Sequence, residues 1–198
     1  MTHTPSTDPF LLEVLRNAFD TIAEEITLTI IRTAYSQIVR DSLDFSTALC
    51  DAQGRTFAQG VCTPMHLGSF LDALTNMLTE VADDIDPDDY FIMNDPYAAA
   101  GQHLPDIYVV KPVFFRGELK GWSTTLAHHS DVGGIVAGSN ALGATEVWQE
   151  GFRIPVLKLV DKGVRNETLW KLLALNVRTP ELVHGDLQAQ MAACATGA

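Results

Sequence analysis

Basic side chains are scarce in this sequence: 13 Lys and Arg stand against 25 Asp and Glu, a formal charge of −12. Nucleic acids and anionic lipid surfaces are gripped by clustered cations, so this balance excludes both as partners. Long apolar runs are also missing, and none approaches the roughly 18–20 residues that span a bilayer. The opening "MTHTPSTDPF" has no basic region leading into an apolar core, so no secretory signal is visible and a cytoplasmic location is expected. Cysteines number three (Cys50, Cys62, Cys194), with no metal-ligand spacing, and read as buried or incidental thiols in a reducing compartment. Phosphate cradles are absent: "DVGGIVAGS" fits neither GxxxxGK[ST] nor GxGxxG, so no nucleotide site can be argued. Ser46, Ser69 and Ser139 lie outside any nucleophile-elbow context. The aspartate run "DDIDPDDY" lacks the glycine and distal glutamate of a calcium loop and reads as a solvated helix-to-strand connection.

What is present is a globular composition, 46% apolar and 19% charged over 198 residues, enough for one substantial domain. Residues 8–39 read as one long amphipathic helix, with Asp8 as cap, Pro9 in the first turn and an apolar face of Leu11, Leu15, Ala18, Ile22, Ile26, Ile31, Ala34 and Ile38. The β-branched run "ITLTII" is its weak point. A hairpin follows around "DAQGR", then a helix over 67–82, the strand "YFIMND" and the strands "DIYVVKPVFF" and "KGWSTTLAHHSD" joined by "RGEL". Pro112 implies an edge position or a bulge. Residues 132–156 are glycine-punctuated loop with a short helix near "GATEVWQEG", and the chain from "ETLWKLL" onward is helical in character. The fold class is α+β: a long N-terminal helix and further helices on a mainly antiparallel, hairpin-rich sheet. Residues 1–198 form a single region, with 1–7 expected to be disordered. The helical character of the final segment suggests the N-terminal portion of something longer.

Chemistry concentrates at two strand ends. In "AGQHLPDIYVV", His103 and Asp106 bracket Pro105, which holds Leu104 extended and makes the loop stiff. In "LAHHSDVGG" a second strand closes on His128, His129 and Asp131. If the hairpin turn is centred on Gly117 and Glu118, Asp106 falls opposite residue 129, so the two stretches are neighbours. Alternation favours the other histidine, because Trp122, Leu126 and His128 share one face and Ser123, Thr125 and His129 the other. A bulge at Pro112 would reconcile the two, and His128 is preferred. Two imidazoles with one or two carboxylates suit a divalent metal such as Zn, Mn or Fe. The same residue types serve equally as turn formers and satisfied core histidines, so the spacing leaves both readings open. Glu146 and Glu150 would share a helical face, as an acid–base pair or as solvated surface. His66, before a helix in "TPMHLGS", could cap it, line the cleft or be structural.

The ordered series "LDFSTALCD", "MHLGS", "NDPY", "HLPDI", "HHSDVGG", "ATEVWQEG" and "GDLQAQ" resembles the hydantoinase B/oxoprolinase family from about residue 8 onward. That resemblance implies a cytoplasmic, multi-subunit, ATP-dependent enzyme acting on cyclic amides or carboxylating ketones. ATP would be bound by a hydantoinase A-type partner subunit and not by this chain, in a hetero-oligomer. It implies Asp44, His103, Asp106 and His128 as metal ligands, with His129, Asp131 or Glu146 assisting as orienters or proton carriers. Asp44 comes from the resemblance alone. The stretch "NDPYAAAGQH" departs from the family by lacking paired glycines and a threonine before the histidine, which puts substrate contacts in doubt. Family subunits are also considerably longer than 198 residues. The alternatives are a ketone carboxylase subunit or a shortened, non-catalytic module that binds the A-type partner.

Overall fold

A computed structural model describes residues 8–81, 84–97 and 103–198, apart from the Leu67 side chain. The expectation for residues 1–7 and the departure at 98–102 lie outside the described residues. Among the described residues, five α-helices pack on a seven-stranded, wholly antiparallel sheet. The strands are β1 (Phe45–Asp51), β2 (Thr56–Gln59), β3 (Tyr90–Met93), β4 (Asp106–Phe115), β5 (Glu118–His128), β6 (Leu157–Asp161) and β7 (Val164–Arg165). Their spatial order is β2-β1-β5-β4-β3-β6-β7. The hairpin β6–β7 was not foreseen: "LKLVD" is short and half exposed, and only pairing with β3 gives it a face to bury.

The first helix, α1 (Pro9–Thr33), starts as the sequence indicates, with the Asp8 carboxylate accepting from Phe10 N at 3.0 Å. Its expected continuation to residue 39 is corrected. The chain breaks at Ala34–Ser36 and resumes as α2 (Gln37–Arg40), capped by Ser36. The break falls past the β-branched run because a distant carboxylate makes it: Asp186 Oδ1 accepts from Tyr35 N at 2.8 Å and Ser36 N at 3.0 Å. Those two amides are thereby satisfied outside the helix. "ITLTII" stays helical because Ile26, Thr27 and Ile30 are buried, and packing outweighs propensity. The buried residues of α1 all lie in this second half; before it, Phe19 meets the Phe57 ring edge-on, and Leu11 and Leu15 of the expected face are exposed.

Alternation along the strands sorts the core into two faces. Phe45, Leu49, Ile107, Val109 and Ala127 point to the side covered by α1, α4 (Glu167–Asn176) and α5 (Pro180–Gly197). Ala48, Cys50, Tyr108, Val110, Trp122 and Leu126 point to the other side, under α3 (Phe70–Val81) through Phe70, Ala73, Leu74 and Met77. A 3₁₀ segment, Pro64–Ser69, leads into α3 where one uniform helix over 67–82 was expected.

The β4–β5 hairpin differs from the idealised one in two steps that nearly cancel. Its turn is Arg116–Gly117, both left-handed at φ 53° and 80°, as a two-residue turn requires. That is one residue earlier along the chain than a turn centred on Gly117–Glu118, which moves every pairing by two. A bulge then leaves Lys120 without a ladder partner between Phe114↔Leu119 and Val113↔Gly121. Asp106 consequently faces His128, not residue 129. Pro112 is neither on an edge strand nor at the bulge. It pairs with Trp122 and lies past the end of the β3 ladder, which stops at Val110, so its missing N–H costs no sheet bond.

Candidate metal centre

Three neighbouring strands bring one polar rung to the α3 face. Asp106 at the start of β4 is directly opposite His128 at the end of β5, and His128 N donates to the carbonyl of Asp44, just before β1, at 3.0 Å. A carboxylate, an imidazole and a carboxylate thus lie side by side. Leu43, at φ 56°, turns the chain into this rung, and its carbonyl accepts from the Thr63 hydroxyl at 2.8 Å. A bulky residue in that region is strained, and such strain persists where the surroundings over-determine it. His103 reaches the rung from the loop: its Nδ1 is 2.9 Å from Asp106 Oδ2, and its ring centroid is 4.8 Å from that of His128.

The contacts are close in distance but unpaired in geometry. Asp106 is fully buried, yet neither of its oxygens has a hydrogen-bond donor, and His103 Nδ1 is likewise buried without a partner. His128 Nδ1 is 3.5 Å from Asp106 Oδ1 and 3.8 Å from Asp44 Oδ2. Ligand atoms of His103, Asp106 and His128 all lie within 4.8 Å of one another; Asp44 stands outside this compact group. Burial opposes ionisation of Asp106, but the histidines around it outweigh burial and hold its carboxyl down to about 2. The Asp106 carboxylate in turn raises the pKa of His103. Buried polar atoms without partners are costly, and an ionised carboxylate among imidazoles is a donor set that suits a divalent cation. The residues therefore fit a metal, and the partly exposed side chains of Asp44 and His103 form the open side of the site.

His66, left open by the sequence, is buried in the 3₁₀ segment with Nε2 3.9 Å from both Asp44 Oδ1 and Asp106 Oδ2. Burial lowers its pKa against the pull of the two carboxylates.

The other predicted residues are engaged elsewhere. His129 is on the opposite sheet face, its Nε2 2.9 Å from Gln190 Oε1, while Gln190 Nε2 donates to the Ile107 carbonyl. Asp131 accepts from the Arg178 backbone amide, from Arg178 Nη1 at 3.0 Å and from Gly133 N, and so anchors the loop after β5. Glu146 is exposed and caps a three-residue 3₁₀ turn, Val147–Gln149, so the helical face shared with Glu150 does not form. The motif "GDLQAQ" also has a structural reading. Asp186 holds the α1–α2 break, a side chain at Gly185 would meet the Tyr35 ring at 2.2 Å, and Gln190 holds His129. Two hollows, of about 290 Å³ beside Phe19 and Trp122 and about 520 Å³ beside Tyr35 and Ser130, contain none of the rung residues.

Compared with known proteins, the chain matches the family described as Hydantoinase B/oxoprolinase over residues 8–198. The caprolactamase subunit beta of Pseudomonas jessenii is 38% identical over 190 residues, covering 96% of this chain and 32% of that protein. The crystal structure of the ATP-dependent caprolactamase from the same organism superposes with a TM-score of 0.89 at 37% identity, covering 97% of this chain and 33% of that one. A nucleotide-free acetone carboxylase structure gives a TM-score of 0.89 at 24% identity, over 96% of this chain and 25% of that one, and shows likeness of fold alone. The chain thus spans about a third of the length of the caprolactamase subunit it matches.

Proposed function

Because the chain belongs to the hydantoinase B/oxoprolinase family, we propose that it forms the cation-binding part of a B-type subunit that hydrolyses a cyclic amide. In this reading an A-type partner subunit binds ATP and activates the amide, and the two subunits form a hetero-oligomer. The unpaired, buried, ionised carboxylate of Asp106 among imidazoles carries the reading. Asp44, His103, Asp106 and His128 would hold the divalent ion, a Zn, Mn or Fe site that would polarise a carbonyl or lower the pKa of a water. Asp106, ionised throughout the neutral range, supplies the charge that holds a cation. Asp44 and His103, on the open side, meet the substrate. His129 and Asp131 act by position: His129 N donates to the Pro105 carbonyl at 2.8 Å and ties the two strand ends that carry the rung, and Asp131 fixes the loop beyond it.

Hydrolysis is preferred to ketone carboxylation because the caprolactamase likeness extends to sequence, whereas that to acetone carboxylase shows only the fold. Metal analysis of the purified protein beside His103→Ala and Asp106→Ala variants tests the site, and full metal retention in both would remove it. Bicarbonate-dependent turnover of a ketone, with none of hydantoins or lactams, would move the assignment to the carboxylase. A partnered complex whose activity survives Asp106→Ala would reduce this chain to a binding module.

A further inference from the structure

We infer that Asn94 is the positioning residue of His103, the loop-borne member of the compact donor set, which rests on the metal reading above and adds the group that aims this ligand. The set is His103, Asp106 and His128. Asp106 and His128 are placed by the β4–β5 ladder, in which they face each other. His103 precedes β4 and lies outside the strands, so the backbone between it and Asp106 decides where its imidazole points. Each of the three carbonyls on that path is held by a different element. The His103 carbonyl accepts from Asp106 N at 3.1 Å, that of Leu104 from Asn94 Nδ2 at 2.7 Å, and that of Pro105 from His129 N at 2.8 Å. Two of these donors are backbone amides, which almost any residue supplies. The middle one requires a particular side chain.

Asn94 follows β3 directly, where the ladder to β4 ends at Met93↔Tyr108. Past that rung its side chain continues the attachment of β3 to the chain that leads into β4. The amide is fully buried and both its protons are used: Nδ2 also donates to the Phe152 carbonyl at 3.0 Å, and Oδ1 accepts from Ile154 N at 2.6 Å. Two carbonyls on one side and an N–H on the other fix the orientation of the amide and call for asparagine. An aspartate would set an oxygen against both carbonyls. The far partners are themselves braced. Asn94 N and Asp95 N donate to the Ile154 carbonyl, Arg153 Nη2 meets Asp95 Oδ2 at 2.7 Å, and Phe152 N donates to the Val132 carbonyl at 2.7 Å. Leu104 and Ile154 are buried in one apolar cluster.

The His103 side chain needs such a tether. It is 34% exposed, and its Nδ1 has no hydrogen-bond partner, so packing and side-chain bonding leave it free to swing. A ligand atom serves a site only when it is held within about 0.5 Å of its place. Pro105 keeps Leu104 extended, which stiffens the loop without locating it. The bond to the Leu104 carbonyl locates it, one residue from the ligand. Such coupling is reciprocal: if the Asn94 bond favours metal binding, bound metal strengthens the Asn94 bond by the same factor.

Mn²⁺ is the probe, titrated into the purified chain while free Mn²⁺ is followed by EPR. Asn94→Ala should lower affinity about 10- to 100-fold, the range for groups that orient a ligand, and His103→Ala should weaken it as well. In the double variant the two losses should not add, because Asn94 acts through His103. Asp186→Ala, whose defect lies at the α1–α2 break, should bind Mn²⁺ as the wild type does. A loss there equal to that of Asn94→Ala would mean general loosening and overturn the inference. Wild-type affinity in Asn94→Ala, or additive losses in the double variant, would also overturn it, and if Asp106→Asn still loses binding the cation reading stands. Should Asn94→Ala not fold, or His103→Ala bind no Mn²⁺, the wild type decides. Zn²⁺ should then slow NMR-detected exchange of the Asn94 Nδ2 protons by more than it slows the most protected backbone amides, which report global opening. An equal or smaller slowing overturns the inference. No metal bound by the wild type ends both readings.

Discussion

Asp106 and His128 face each other across the β4–β5 ladder, with their side chains on the same sheet face and Asp106 Oδ1 3.5 Å from His128 Nδ1. That relationship depends on a turn at Arg116–Gly117 and one unpaired residue, Lys120, since either alone would bring a different residue opposite the carboxylate.

Asp106→Asn keeps the shape of the side chain and removes its charge. A cation present at 100 times its dissociation constant stabilises the protein that binds it by about 2.7 kcal/mol. For a chain of this size that is a rise in Tm of about 5–11 °C. Added Mn²⁺ or Zn²⁺ should raise the Tm of the wild type by this order and leave the Asn variant unmoved. Equal shifts in calorimetric scans of the two proteins would place the metal elsewhere.

Asp186→Ala should destabilise the fold at the α1–α2 break. Its carboxylate is fully buried and is the acceptor for the Tyr35 and Ser36 amides. Leaving those donors unpaired costs about 1–3 kcal/mol, a fall in Tm of about 2–12 °C. Hydrogen exchange at Tyr35 and Ser36 should accelerate in step, and unchanged exchange there would show that the helix break has another cause.

Arg178→Lys should loosen the loop after β5 while sparing the rest. The guanidinium donates to Asp131 Oδ1 and to the carbonyls of Gly133, Gly134 and Val136, a spread that one ammonium cannot cover. Losing about 1.5 kcal/mol of charge-assisted bonding corresponds to roughly tenfold faster local opening. Amide exchange at Val132, Gly133 and Ile135 should report it, with little movement of the global Tm because the loop opens locally. Protection equal to wild type would deny Arg178 its role as the staple.

The thiols should be inert in the folded protein. Burial pushes Cys50 up to about 11 and Cys194 up to about 12, and it raises Cys62 as well. Thiolate, not thiol, is the nucleophile. At pH 8 a disulfide reagent such as DTNB should react slowly and only with half-buried Cys62, and with all three cysteines after unfolding in guanidinium. Rapid modification of Cys50 or Cys194 under native conditions would contradict the packing of β1 against α3 and of α5 against the sheet.

Elements with local signals were legible in the residues themselves. Asp8–Pro9 starts α1, Gly54 turns the β1–β2 hairpin with a positive φ, and "RGEL" returns β4 into β5, because caps and turns are decided by neighbouring atoms. Alternation also put His128 on the inward face, since a strand's period of two needs no partner to be read. The end of α1 was not legible, because the carboxylate that stops it is about 150 positions away at Asp186. Nor was β6, whose only reason to extend is an open edge on β3.

The residue types alone determined that this chain could offer imidazole and carboxylate at two adjoining strand ends, because a hairpin brings its own termini together. Tertiary structure decided the rest. Asp44 joins through pairing of β1 with β5, His66 arrives on a 3₁₀ segment held by Ser46 and Tyr108, and His129 is carried to the opposite face. Register and cross-sheet order set these positions, and both are properties of strand pairing that no short stretch of sequence contains.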